Sequence, residues 1–363
     1  MIFCFMNIIF LLGLFSLLFY NYFDLNYYKI SLPVLDSILQ NIHPILIPPE
    51  DESFVQFSTH FNYSEENSLV KFAPPSPSDC PRNIVFGKTG GRLGNLMCAY
   101  ATYLAYTLHT NRAPVIEKKA FDRLNYFFKH VKIKSEADIK LKRGCRLNFK
   151  PLDEKGLASI ADYQAAFKRH PNQNIKSVRS YYRFPIFNDV RKELMESFQL
   201  RPQHRTKVEK TLRNVKVCHG RQCTYVCVHV RRTDQKKLVE IQAKGKLAGK
   251  AYVYNAMKIM KSKFSDSVFL IISEDMKWCR KNLRFKEFKI EFISDRNIKN
   301  PILDLGLLMY SNHSIITHGT FGFIGAFLSG GHVIQPIVPG GPGPQVGGID
   351  LMKKGKNWIQ IKV

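Results

Sequence analysis

The chain has no Asp-x-Asp, no C-x-x-C and no complete Gly-rich nucleotide fingerprint in its 363 residues. Each absence removes a class of site. Cys218, His219, Cys223 and Cys227 invite comparison with a zinc centre, but the thiol pairing of such centres is missing, and Cys223 and Cys227 fall in or beside a run that reads as a core strand. Gly87-Lys88-Thr89 copies the tail of a phosphate-binding P-loop, yet Arg82 occupies the place of its first glycine. Thr89 likewise stands where a dinucleotide fingerprint needs its first glycine. Acidic residues are scarce: 29 Asp and Glu stand against 54 Lys and Arg, a formal net charge of +25. That balance draws any polyanion and does not by itself choose among nucleic acid, acidic glycan, anionic lipid and nucleotide diphosphate. The basic residues are scattered, as at Lys118, Lys119, Arg143, Lys168 and Arg169, without a long basic arm or a nucleic-acid recognition module, so no nucleic-acid partner is expected. With 45% hydrophobic and 23% charged residues, the chain has the composition of a globular protein able to bury a core. Eight cysteines are present, and their pairing is not legible from spacing.

Charge is also missing from Ile2 to Phe23, where Ile, Leu and Phe dominate over about the length that crosses a bilayer as a helix. Residues 1–23 therefore read as a transmembrane signal anchor. A cleaved signal peptide is the competing reading, but no small-residue cleavage site precedes Tyr27 and Tyr28. The nearest cation is Lys29, on the C-terminal side, so flanking charge leaves the orientation open. Residues 24–81 read as a stem, with Ala73-Pro74-Pro75-Ser76-Pro77-Ser78 excluding regular structure at its end. Asn62-Tyr63-Ser64 is a glycosylation sequon within it; a second, Asn312-His313-Ser314, sits in an apolar segment and is expected to be too enclosed for modification. The remaining length accommodates two α/β lobes, assigned to 82–215 and 216–363.

Ile84-Val85-Phe86 reads as a strand and Leu96 to His109 as a helix, with the Gly-rich turn Gly90-Gly91-Arg92-Leu93-Gly94-Asn95 between them. Such a turn brings backbone N–H groups and a helix N-terminus against a phosphate, and Arg92 adds a fork of donors; packing alone is the plainer alternative. Tyr225-Val226-Cys227-Val228-His229-Val230 reads as a buried strand that stops at Arg231-Arg232-Thr233-Asp234. A histidine, two guanidinium groups and a carboxylate at one strand end suit an anion, with an Arg–Asp234 ion pair as the plainer reading. Val268 to Ile272 reads as another buried strand, after which Ser273-Glu274-Asp275 caps a helix or meets a ribose or guanine. Thr317-His318-Gly319-Thr320-Phe321-Gly322 opens a further apolar helix whose N–H groups and Thr320 hydroxyl are suited to phosphate.

Taken together, Gly91-Arg92-Leu93-Gly94-Asn95, His229 through Asp234, Ser273 through Cys279 and Thr317 through Gly322 resemble glycosyltransferase family 11, the α-1,2-fucosyltransferases, over residues 84 to 335. The resemblance implies an α/β, GT-B-type fold: two Rossmann-like lobes with a donor cleft between them, 82–215 as the N-terminal, acceptor-side lobe and 216–363 as the C-terminal, GDP-sugar-binding lobe, preceded by one transmembrane helix. It implies GDP-fucose as donor substrate, no cofactor and no required metal, inversion at the anomeric carbon, and a galactose-terminated glycan as acceptor. It also implies a single-pass type II protein of the Golgi membrane with a lumenal catalytic domain. By the same resemblance Arg231, Asp234 and His229 form the catalytic set, with Arg231 on the diphosphate and Asp234 either the base or a support for the arginines. Gly91, Arg92, Gly94, Asn95, Arg232, Ser273, Asp275, Gly319, Thr320, Phe321 and Gly322 would bind the donor, and Asn62 would carry a glycan. Thr233, Leu96 and Ile324 depart from the family's usual residues and bear on the acceptor more than the donor. Two other classes compete. A catalytically inactive relative that binds GDP-sugar or glycan would keep the same donor motifs, whereas a sulfotransferase would need the P-loop-like turn that Arg82 interrupts.

Overall fold

A computed structural model describes residues 80–110, 112–153, 157, 159–178, 182, 184–218, 223–242, 245–293, 301–337 and 357–363. The expected anchor at 1–23, nearly all of the stem at 24–81, and Asn62 lie outside these residues. Among the described residues no helix is long and apolar enough to cross a membrane.

The first half alternates strand and helix: β1 (Ile84–Gly87), α1 (Leu93–Thr110), β2 (Ala113–Ile116), α2 (Lys118–Phe127), β3 (Lys134–Ser135), β4 (Phe149–Leu152), α3 (Ile160–Lys168) and β5 (Asn174–Ser177). The strands form one parallel sheet in the order β3-β2-β1-β5-β4. Helix α1 is apolar on nearly every side and buried from Leu96 through Tyr106, as expected of a helix enclosed by other elements rather than laid on a surface. Its Tyr100 hydroxyl meets Ser197 Oγ at 3.0 Å, which ties it to the next helix, α4 (Arg191–Ser197). Helix α5 (Pro202–Arg213) follows, started by Pro202 at its first position, where the missing N–H costs nothing.

The second half continues with β6 (Thr224–Val230), α6 (Lys250–Lys263), β7 (Ser267–Ser273), α7 (Met276–Asn282), β8 (Lys289–Phe292), α8 (Ile302–Tyr310), β9 (His313–Ile316), α9 (Thr320–Ser329), β10 (Val333–Ile337) and β11 (Trp358–Lys362). These strands are also parallel, in the order β11-β10-β9-β6-β7-β8. The unbroken apolar runs of β6 and β7 are explained by burial on both sheet faces. Val226, Val228, Phe269 and Ile271 pack with Tyr252, Val253 and Met257 of α6 into one core. Two parallel sheets with helices fit a GT-B-like fold.

Among the described residues two disulfides appear, Cys80–Cys145 and Cys218–Cys223. The second joins two members of the cysteine group weighed above as a metal centre, and Cys227 is a buried thiol within β6. The second sequon is less enclosed than expected. Ser314 is buried, but Asn312 is exposed at the head of β9, where its Oδ1 accepts from the Tyr225 N–H at 2.8 Å.

Candidate active site

In open α/β sheets, ligands collect outside the carboxyl ends of the strands where strand order reverses. The second sheet reverses between β6 and β9. Register sets the level at which side chains leave it: His229 lies opposite Ile316, and Val230 opposite Ser273. Arg231, Thr317 and Glu274 therefore emerge together, and the Thr317 hydroxyl accepts from the Arg231 N–H at 2.9 Å.

A cleft of about 580 Å³ opens there. Helix α9 enters it N-terminus first, presenting Thr320 and Phe321, and α1 enters from the first half with Leu93, Gly94 and Asn95. The two helix ends touch. A Cβ on Gly94 would lie 2.6 Å from both the Cα and N of Phe321, so only glycine permits this approach. The Thr320 hydroxyl donates to Asn95 Oδ1 across the contact. Two partly positive helix ends thus converge on one volume.

Five cations, Arg92, Arg123, Arg231, Lys277 and Arg280, line the cleft against three carboxylates, Glu274, Asp275 and Asp304. Asp234 stands between two of the arginines: Arg231 donates to it through Nε at 3.0 Å and Nη2 at 2.6 Å, and Arg92 pairs with it from the other half. Burial alone would raise the Asp234 carboxyl, but the Arg231 hydrogen bond and the charges of Arg231 and Arg92 outweigh it and hold the group below the usual carboxylate range. A carboxylate so held is a poor proton acceptor. Of the two roles expected for Asp234, the geometry favours support of the arginines.

Gly319 lies against Arg231. Its φ of 89° is in the region that only glycine adopts cheaply, and a Cβ there would come 2.8 Å from Arg231 Nη1. His229 is buried, with Gly322 against its ring and the Phe321 ring centroid 5.4 Å away. Burial, Arg231 and His318 together push its pKa down to about 3. It therefore lines the cleft as a neutral imidazole rather than a charged one.

The remaining expected residues divide. Ser273 lines the cleft and accepts from the Asp275 N–H at 2.9 Å, while Asp275 lines it and also caps α7 by accepting from the Trp278 N–H at 3.1 Å. Glu274 accepts from the N–H groups of Arg232 and Thr233, at 2.6 and 3.1 Å. Arg232 departs from the expectation. Its guanidinium lies 3.8 Å over the Trp278 ring, with Nε 3.9 Å from Asp275, and it does not line the cleft. Gly91 sits behind the lining, at φ 79°, with its carbonyl accepting from Arg123 at 3.4 Å.

Arg123, Lys277, Arg280 and Asp304 line the cleft without having been singled out from the sequence. For Lys277 and Arg280 a signal existed, since both lie on the helix that Asp275 caps. Arg123 and Asp304 had none: each sits in an ordinary amphipathic or apolar helix, and Arg123 reaches the cleft only where the first half meets the second.

Known proteins bear on this arrangement in three ways. The profile of Glycosyl transferase family 11 matches residues 73–362. Galactoside 2-alpha-L-fucosyltransferase SEC1 of Bos taurus is 29% identical over 267 residues, 71% of this chain and 68% of its own length, and its Mus musculus counterpart is 28% identical over 312 residues, 82% of each chain. Among solved structures, a mutant of Arabidopsis thaliana FUT1 in complex with GDP aligns with a TM-score of 0.47 at 13% identity, over 88% of this chain and 83% of that one.

Proposed function

Because this chain belongs to glycosyl transferase family 11 and is a glycosyltransferase, we propose that it transfers L-fucose from GDP-fucose to the 2-hydroxyl of a terminal β-galactoside on glycoprotein or glycolipid glycans, with inversion at the anomeric carbon. The observation that carries the reading is the convergence of the α1 and α9 N-termini with Arg92, Arg123 and Arg231 on one cleft. Those donors are fixed before reaction and suit a diphosphate. As the bond from the sugar to GDP breaks, negative charge grows on the departing phosphate, and preorganised N–H and guanidinium groups stabilise it more in the transition state than in the ground state. Fucosyl transfer has much oxocarbenium character, so leaving-group departure is the step that such a site assists most, with little demand on a base. Asp234 keeps Arg231 and Arg92 extended toward the cleft until the diphosphate takes over as their partner. Asp275 and Asp304 offer acceptors for nucleoside hydroxyl or base N–H groups, and Phe321 offers a ring face beside the reacting sugar. No cofactor enters this reading.

The chain acts in the Golgi lumen as a single-pass type II membrane protein. The uncharged run Ile2 to Phe23 supports an anchor, and two disulfides fit an oxidising compartment.

The test is transfer from GDP-fucose to a panel of β-galactoside acceptors by the full chain, with product linkage read by NMR and Arg231→Ala as control. A 2-linked α-fucoside that disappears in the variant supports the reading. Donor binding with neither transfer nor hydrolysis overturns it in favour of an inactive GDP-sugar-binding relative.

A further inference from the structure

The turn ahead of α9 is held by a different element at almost every residue. The Ile316 carbonyl accepts from the Tyr252 hydroxyl of α6 at 2.6 Å, and the Thr317 hydroxyl accepts from the Arg231 N–H at 2.9 Å. Gly319 lies against the Arg231 guanidinium, and Thr320 reaches Asn95 of α1. Between them stands His318, whose Nε2 accepts from the Ala248 N–H at 3.0 Å. His318 is 2% exposed and does not line the cleft.

This contact has a specific chemistry. Ala248 is fully buried in the connection that leads into α6, one residue before the Gly249 N-cap of that helix. A buried amide N–H needs an acceptor, and here a side chain distant in sequence supplies it. Because the amide donates to Nε2, that nitrogen keeps its lone pair and the ring proton is on Nδ1. Tyr252, in the first turn of α6, adds a second tie, and its hydroxyl also donates to the Ile334 carbonyl of β10 at 3.2 Å. The start of α6 thus holds the turn at 316 and 318, while α1 holds it at 320.

The effect reaches the cleft through the backbone. The two neighbours of His318 both touch Arg231, Thr317 through its hydroxyl and Gly319 so closely that a Cβ would stand 2.8 Å from Nη1. A turn that shifts at 318 therefore moves both supports of Arg231, and the first N–H groups of α9 with them.

We propose that His318 is a positioning residue of the donor site: its imidazole ties the connection ahead of α6 to the turn ahead of α9, and so holds Gly319 against Arg231 and the α9 N-terminus at the cleft. The proposal rests on the glycosyl-transfer reading of the cleft and adds a residue that acts on the diphosphate through Arg231.

The test compares two polar replacements in the full chain. In His318→Gln the side-chain oxygen reaches about as far as Nε2 and still accepts from Ala248, whereas His318→Asn is one methylene too short. A shift of about 0.5 Å, half of one that costs about a hundredfold, lowers kcat/KM for GDP-fucose about tenfold in His318→Asn. GDP binding in calorimetry weakens about fivefold in the same variant, as a charge-assisted hydrogen bond from Arg231 is strained. His318→Gln stays within about twofold of the parent on both measures, and the acceptor KM stays within about twofold in either variant. Equal GDP affinity in the two variants, or an acceptor KM that rises as much as the donor's, overturns the proposal. If His318→Asn does not fold, Tyr252→Phe decides: GDP binding weakened a few-fold supports the brace, and parental affinity overturns it. If the parent transfers no fucose, the transferase reading fails separately, and GDP calorimetry on the same variants still decides the role of His318.

Discussion

Replacing Gly94 with alanine separates catalysis from stability. The new Cβ would stand 2.6 Å from Phe321 Cα and N and 3.0 Å from the Thr320 carbonyl carbon. Ordinary contact begins at 3.4 Å, so the N-termini of α1 and α9 must part by about 0.8 Å, and the atoms they would meet are backbone that no rotamer change can move aside. Overpacking of this kind costs about 1–3 kcal/mol. Against it, alanine at the second position of α1 recovers up to ~1 kcal/mol of helix propensity. The net change in unfolding free energy therefore runs from near zero to a loss of about 3 kcal/mol. Activity is the more sensitive readout, because the parting occurs where both helix ends and the Asn95–Thr320 hydrogen bond shape the cleft, and a misplacement near 1 Å costs about a hundredfold in rate. The expected result is a loss of about two orders of magnitude in kcat/KM in a variant that still folds, with a urea midpoint lowered by no more than about 1–2 M. Full activity at unchanged stability would refute the claim that these backbones must touch for the cleft to work.

Arg231→Ala should weaken GDP-fucose binding by about 10- to 100-fold in calorimetry, whereas Arg232→Ala, which removes a guanidinium stacked on Trp278, should change it by less than about threefold. Similar losses in both variants would return Arg232 to the donor site. His229, held neutral with a pKa of about 3, binds fewer protons folded than unfolded between about 3 and 6.5, so its contribution to stability is complete above 6.5 and falls by ~1.4 kcal/mol per pH unit on acidification toward 3. Urea titrations at pH 7, 6, 5 and 4 should show this decline, and a smaller one in His229→Asn; identical slopes would contradict it. Breaking Cys80–Cys145, which closes a separation of 65 residues, should destabilise by ~4 kcal/mol, against ~2 kcal/mol for Cys218–Cys223 with a separation of 5. Denaturation of Cys80→Ser and Cys218→Ser checks that order.

Local sequence determined the elements that carry the cleft. The run Tyr225 to Val230 is continuous and β-branched, so it reads as a doubly buried strand, and a strand of that kind must release Arg231 at its carboxyl end. Gly91 to Asn95 and Gly319 to Gly322 mark helix starts by composition alone, and the order of these motifs was enough to indicate the family. What the sequence left open concerns partners distant along the chain. Arg92 meets Asp234 across 142 residues and Thr320 meets Asn95 across 225, so the clasp between the two halves exists only once both sheets are built. The same holds for the Cys80–Cys145 pair, for the diversion of Arg232 onto Trp278, and for Arg123 and Asp304, whose helices look ordinary in isolation. Periodicity and turn chemistry act over a few residues and so determine strands, helix starts and their faces. Which charges face each other across the cleft depends on how the two sheets pack, and only the tertiary structure decides that.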